Sequence, residues 1–579
     1  MQEEATRLDR FIAWTKRICE RPETPKWLPL LTVVLFLPAL FAGLVMDDYL
    51  HIWRIKVEGN SLGDLMANYF IFFEPPNDMI LERGILPWWM DQDTTIAFFR
   101  PVSVVTHWLD QQMWRGSVPL YHLHSLFWAA LCVWGATKAY LRTLGNAWPA
   151  VLCALLFAVN DSHALAFTWL ANRNAAVAFF FGILAFDSHL RWRRDGGSPL
   201  PAAILLVLSL FSAEAGTAII AFLLSWAIFY ESNLKIAVKT TFHYLFIVIA
   251  WRLLHRSLGY GADGMALYTD PMHDPLLFLV ETVQRMPVML ANLFFKLSGE
   301  GVHVAGPYLL GNAEAARWII SGGILIGLLW FAWLILPTAN KHKSIRFWIL
   351  STIIALIPFC TTFPQERNLM FASFGACGLI ATLVQHHKGK IGGWMLVLFL
   401  PLSLPLCPMK ALVLPQAGAF VEMGHESLPE DIEPQQTVIF LQGQEFSQVY
   451  TKILAEVNEK KQFQDAVILS TAMDITFVRT GERECEITVH DGWFRHGVLA
   501  FQPRKEFEVG QVYERRHLKA EILEVTEDGQ PRRTRFTLDQ NLNHKDFRWM
   551  VWRGEYFEEY HPPKELGTKT RFPYPFAFP

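Results

Sequence analysis

Two adjacent carboxylates, Asp47 and Asp48, follow directly on the first long apolar run, Trp27 to Met46. That run has about the 20 residues an α-helix needs to cross a bilayer, and charges at its end mark where the chain leaves the hydrocarbon. A carboxylate there can take a proton from a hydroxyl as general base, or hold a metal ion. The same pair also fits an acidic helix terminus solvated at the interface. More polar residues stand at the ends of later apolar runs: Arg100, His122, His124, Asn160-Asp161-Ser162-His163, Asn172-Arg173-Asn174, Glu214 and Glu366-Arg367. On a helix starting near His163, Arg173 falls roughly 15 Å along the axis. A cation at that depth needs a polar cavity or a buried partner, and Glu214 is one such carboxylate. Arg367 either pairs with Glu366 at a helix start or meets an anion.

These residues need a membrane scaffold to hold them. The chain is 52% hydrophobic, 14% aromatic and 18% charged, against about 25% charged in an ordinary soluble protein. The deficit lies before residue 415. Apolar runs occur at 28–46, 120–141, 147–160, 164–189, 200–212, 215–231, 241–257, 317–337, 346–361, 368–386 and 391–411, which predicts a polytopic α-helical membrane protein of about eleven spans. Residues 1–27 carry Arg7, Arg10, Lys16, Arg17, Arg21 and Lys26 and read as a cytoplasmic amphipathic segment ahead of a retained signal-anchor span. The basic connections at Arg142, Arg191 to Arg194, Lys235, Lys341 to Arg346, and Lys388 with Lys390 then alternate to the inside. That parity puts Asp47, Asp48 and the C-terminus outside. It treats 47–119 as a long first outer loop, with a helix at about 101–114 along the interface. It also treats 276–298, broken by Glu281, Arg285, Pro287 and Lys296, as an interfacial or re-entrant helix within a membrane domain of 28–414.

From 415 to 579 the composition is that of a soluble domain. Thr437 to Leu441 and Ala466 to Leu469 read as strands flanking an amphipathic helix at about 446–460. From 475 to 560 the apolar period is mostly two, with turns at Thr480-Gly481, Asp491-Gly492 and Asp528-Gly529. An α+β or β-rich domain is expected, with an irregular Pro- and Phe-rich tail over 561–579. The seven cysteines include no C-x-x-C pair, and the net charge of −3 offers nothing to nucleic acid.

Several stretches, taken in order, resemble the motifs of the GT-C glycosyltransferases, and most of all the transmembrane O-mannosyltransferase-like branch. They are Asp47-Asp48 after the first span; Phe99-Arg100-Pro101-Val102 with Tyr121-His122-Leu123; Asn160-Asp161-Ser162-His163 with Trp169 and Asn172-Arg173-Asn174; Ser212 to Thr217 around Glu214; and Glu366-Arg367-Asn368-Leu369 with Ser373. The resemblance covers about 45–375. It departs from the branch at Asn160, Leu165 and Ala213, where the family has His, Glu and Lys, and it lacks the tetratricopeptide repeats that branch carries elsewhere.

The resemblance implies a sugar donor on polyprenyl phosphate, reached from the membrane lipid, and a protein, lipid or glycan acceptor on the outer face. It implies Asp48, or Asp47, as catalytic base. It makes Arg367, Arg173 and His163 the contacts to the donor phosphate, supported by Glu214, Arg100, His122 and Glu366. It fixes no cofactor and leaves open a Mg or Mn ion, which would fall to Asp47, Asp48 and Glu214. The soluble domain is similar to C-terminal domains of bacterial membrane proteins, which implies a bacterial source and so the cytoplasmic (inner) membrane, with that domain extracytoplasmic by the loop parity above. The altered motif positions leave the reading of a non-catalytic assembly subunit of an envelope complex; a transporter of lipid-linked substrate is a further alternative, which would favour paired inverted repeats that the sequence does not show.

Overall fold

The computed structural model describes residues 6–74, 83–90, 94–145, 147–302, 313–386, 391–472, 474–490, 493–494 and 501–573. Lys388, Lys390, the Asp491-Gly492 turn and residues 574–579 lie outside them. The chain forms two compact units. One comprises residues 1–43, 99–259 and 269–415, the other 44–98, 260–268 and 416–579. The division near 415 follows the composition shift. The assignment of 44–98 and 260–268 does not follow the expected first loop. Residues 44–98 belong to the second unit because Trp53, Ile85, Trp88 and Trp89 are buried in one apolar core with Val438, Phe440 and Trp549, and residues 260–268 because Gly261–Asp263 pairs with Thr95–Ala97 and Met265 bridges Pro503.

In the first unit each apolar run forms a helix. Six helices among the described residues are long and apolar enough to cross a membrane: Thr24–Phe41, Leu234–Ser257, Pro275–Phe295, Ala315–Lys341, Lys343–Thr361 and Ile391–Leu414. A seventh is the pair Trp148–Ala158 and Asp161–Thr168, bent by 47°. By length and composition alone these are fewer than the eleven apolar runs, because several runs form shorter or broken helices. Leu200–Leu210, Glu214–Tyr230 and Met370–His386 are too short. Pro275–Phe295 departs from the expected interfacial segment: it is one continuous 21-residue helix through Pro287, of span-like length and composition. The predicted helix over 164–189 is also interrupted. Trp169 is extended at φ −93°, ψ 119°, and a new helix, Arg173–Asp195, starts after it.

Helix Met370–His386 is buried from Met370 to Val384. Its glycines make that burial possible. A Cβ on Gly378 would lie 2.4 Å from the Trp348 ring, and one on Gly375 would lie 2.3 Å from Thr352 Oγ1. Small residues let backbones approach where apolar burial alone gives no driving force between helices in lipid. The Tyr140 hydroxyl donates to the Phe374 carbonyl at 2.6 Å and ties a second helix to the same core.

The strands of the second unit are β1 (Ile71–Phe73), β2 (Thr95–Ala97), β3 (Gly261–Asp263), β4 (Thr437–Gln442), β5 (Asp465–Ile468), β6 (Ile475–Arg479), β7 (Glu484–Val489), β8 (Val512–Arg515), β9 (Leu518–Val525), β10 (Pro531–Leu538), β11 (Phe547–Trp552), β12 (Phe557–Tyr560) and β13 (Lys569–Phe572). β1-β2-β3 form a small antiparallel sheet. β4 and β5 run parallel around helix Glu445–Asn458, in the predicted βαβ order, and extend into the sheet β12-β11-β4-β5. The period-two region makes the antiparallel sheet β13-β6-β7-β10-β9-β8. Its alternation is read directly in β7, where Cys485, Ile487 and Val489 point inward. Thr480-Gly481 and Asp528-Gly529 connect strands as expected. The tail is more regular than expected: β13 pairs with β6, because Phe572 is buried and Arg571 bonds Asp474 at 2.9 Å.

His517, in the β8–β9 turn, joins the two larger sheets. Its Nε2 meets Asp465 at 2.9 Å and its Nδ1 meets Asp539 at 2.8 Å. Carboxylates only accept, so both ring nitrogens carry protons. Hydrogen bonding to Asp465, followed by Asp539, raises the imidazole above its ordinary value. A raised value gives stability that is complete below the unfolded pKa, about 6.5, and is lost as pH rises through the folded one. The melting temperature of this unit in the full chain should therefore fall by roughly 2–4 °C between about pH 6 and about pH 8.5. His517→Gln should flatten that slope in a thermal melt followed by near-UV circular dichroism.

Candidate functional site

The first unit gathers its polar residues into three groups, each made from stretches far apart in the chain. Arg173 opens its helix with its side chain fully buried. Its guanidinium bonds Asp110, Ser125 Oγ at 2.8 Å and the Tyr121 carbonyl at 2.8 Å. Asp110 comes from helix Pro101–Trp114 and also meets His124 Nδ1 at 2.6 Å. Two expectations change here. The partner of Arg173 is Asp110 rather than Glu214, and a guanidinium spent on three protein acceptors with no exposed surface is not offered to a phosphate. The interruption at Trp169 explains the difference, since it resets the face on which Arg173 falls.

Glu214 belongs to the second group. Arg100 reaches it through Nε at 2.9 Å and Nη2 at 2.7 Å, and His255 Nε2 lies 3.4 Å away. His122 is also buried and faces the Gly43 carbonyl at 2.8 Å. The expected support residues are therefore brought together as Arg100 with Glu214, while His122 ties one helix end to the first apolar segment.

The third group surrounds the bend at Asn160 to His163. Asp161 accepts from Lys296 at 2.6 Å, Lys410 at 2.7 Å and Ser403 at 2.9 Å. Lys410 also bonds Glu366, so one ammonium joins the Asp161 and Glu366 stretches. His163 is buried and meets Ser373 Oγ at 2.7 Å. That bond makes it a tether between helices, a correction to its expected phosphate contact. Arg367 differs from the other cations. It is partly exposed, lies 5.4 Å over the Trp169 ring, and makes no ion pair among the described residues. Glu366 pairs with Lys410, so pairing of Arg367 with its neighbour is not what the fold adopts. Lys296 and Lys410 were missed from the sequence. Each is a lone lysine near an apolar run, and the signal available was the cost of such a charge without a carboxylate partner.

The acidic pair lies in the second unit. Asp47 and Asp48 open helix Asp47–Glu58, where the helix dipole favours negative charge. Asp48 is buried and accepts from the Val45 N–H at 2.9 Å. Asp47 is partly exposed, and its Oδ1 accepts from the Tyr450 hydroxyl at 2.6 Å. Of the two carboxylates, Asp47 is the more exposed. Among the described residues no three His, Cys, Asp or Glu side chains gather as a metal site. Glu214, one of the three residues named for Mg or Mn, already holds Arg100 and His255.

No family model matches the chain, and no curated protein matches it. Among solved structures it is similar to the oligosaccharyltransferase of Archaeoglobus fulgidus tethered to an acceptor peptide, with TM-score 0.37 and 14% identity over 76% of this chain and 64% of that one. The chain thus spans less than two thirds of that enzyme's length. It is also similar to ArnT from Cupriavidus metallidurans bound to undecaprenyl phosphate, with TM-score 0.28 and 11% identity over 77% and 92%. Neither likeness is close enough to carry a function across.

Removing one partner of a buried ion pair leaves the other uncompensated. Arg173→Ala should destabilise the first unit by about 3–5 kcal/mol, measured as lost monodisperse protein in detergent on heating. Arg173→Met combined with Asp110→Asn should recover most of that loss.

Proposed function

We propose that the chain is a membrane glycosyltransferase of the GT-C kind, using a sugar carried on polyprenyl phosphate and an acceptor hydroxyl on the extracytoplasmic side of a bacterial inner membrane. The observation that supports it most is the spatial pairing of the motif stretches. Arg100 meets Glu214, and the Asn160 to Trp169 stretch meets Glu366, Arg367 and Ser373. Motifs that resemble a family only in their order along the chain also fold onto one another.

In this reading Asp47 takes the proton of the acceptor hydroxyl. The acceptor oxygen bonds to the anomeric carbon as the bond from that carbon to the phosphate oxygen breaks, and polyprenyl phosphate leaves with the electron pair. Arg367, which makes no ion pair among the described residues, offers the leaving phosphate a cation. Lys296 and Lys410 belong to the same polar group, where Asp161 and Glu366 balance their charges. Asp48 shapes the turn that presents Asp47. No step is routed through a metal.

Asp47→Asn should lower transfer by roughly a hundredfold or more, read as loss of product in mass spectrometry of envelope glycans and glycoproteins at matched protein levels. Arg367→Ala should raise the requirement for lipid donor more than that for acceptor. Wild-type product from Asp47→Asn, with loss of the cellular phenotype on deleting 416–579, would instead favour the assembly-subunit reading.

A further inference from the structure

We propose that helix Arg7–Cys19 carries a docking stripe for anionic phospholipid headgroups, on the membrane face where the span Thr24–Phe41 begins. The inference lies wholly within the first unit and is independent of the reaction proposed above.

The helix has two unlike sides. A capping box between Thr6 and Asp9 starts it. Thr15 and Cys19 are buried, and Phe11 and Ile12 pack against the apolar core. Arg7, Arg10, Trp14 and Arg17 recur at steps of three and four, so they share another side of the helix. All four are exposed, as is Arg21 just past the helix end.

The carboxylates in this stretch are already engaged. Asp9 closes the capping box, Glu20 lies 3.7 Å from Lys16, and Glu23 meets Lys26 at 2.8 Å. Arg7, Arg10, Arg17 and Arg21 make no side-chain hydrogen bond or ion pair among the described residues. Cations on other connections differ: Arg142 meets Asp187 at 2.7 Å, and Arg193 meets Glu231 at 2.6 Å.

Placement decides what the four arginines face. A Cβ on Gly393 would lie 2.8 Å from Ile12 Cδ1 and 3.1 Å from Leu8 Cδ1, so these side chains rest on the start of Ile391–Leu414. Lys16 Nζ lies 5.6 Å over the ring of Trp148, the first residue of Trp148–Ala158. Thr24–Phe41 begins just after Cys19. Three apolar helices thus begin beside this one, which sets it at the boundary between hydrocarbon and water. Trp14 and Trp27 are 54% and 61% exposed there, as aromatic side chains at a membrane interface are. At that level a guanidinium forks onto phosphate oxygens, and four uncancelled charges favour a headgroup with net negative charge.

The test uses the purified full chain in neutral detergent. Phosphatidylglycerol and phosphatidylcholine are added in equal amounts, and bound lipid is counted by native mass spectrometry. The wild type should prefer phosphatidylglycerol by roughly thirtyfold or more at low salt and lose most of that preference at about 0.5 M salt. Arg10→Gln should lower it roughly twofold to fivefold, and glutamine at all four arginines should remove the larger part. Arg191→Gln, at a cation paired with Asp187, should change it less than about twofold. An unchanged thermal melt without lipid checks that the four-glutamine variant is folded; if it is not, Arg10→Gln and the salt series decide. Equal retention of both lipids by the wild type, or an undiminished preference in the folded glutamine variants, would overturn the proposal. So would displacement of phosphatidylglycerol by inorganic phosphate at the same concentration, which would assign the stripe to a free anion.

Discussion

A charge packed among apolar helices has to be neutralised where it sits, and that constraint shapes the first unit. Arg173 takes Asp110, Arg100 takes Glu214, and Asp161 lies between Lys296 and Lys410. Each pair joins segments distant in sequence, so the ion pairs also fix which helices are neighbours. An unpaired buried charge would cost several kcal/mol. Against that background Arg367 is partly exposed, rests on Trp169 and makes no ion pair among the described residues.

The second unit solves a different problem. A short helix starting with two carboxylates has no stable place of its own, since isolated helices of about twelve residues are marginal in water. It acquires one by packing Trp53 into the core of the C-terminal domain and bonding helix Glu445–Asn458 at several turns. The segment that a hydropathy reading treats as a loop of the membrane domain is thereby a structural part of the other domain. The acidic pair inherits its rigidity from parallel strands β4 and β5 and the helix between them.

The histidines that sequence reasoning favoured are used differently. His163 and His122 are buried ties, bonded to Ser373 and to the Gly43 carbonyl.

Local pattern determined much of this by itself. The apolar runs became helices, the period-two stretch became an antiparallel sheet, and the βαβ start appeared where alternation and amphipathicity placed it, because those signals depend on neighbours a few residues apart. The stretches with chemistry were also legible as a set, since charged side chains at the ends of apolar runs are conspicuous. Pairing was not legible. That Arg173 would choose Asp110, that Lys410 would bridge Asp161 and Glu366, and that Tyr450 would reach Asp47 across some 400 residues are decided by which elements pack together. The break at Trp169 shows why: one residue leaving the helical conformation turns every later side chain to a new face, and only the packed fold determines which carboxylate waits there.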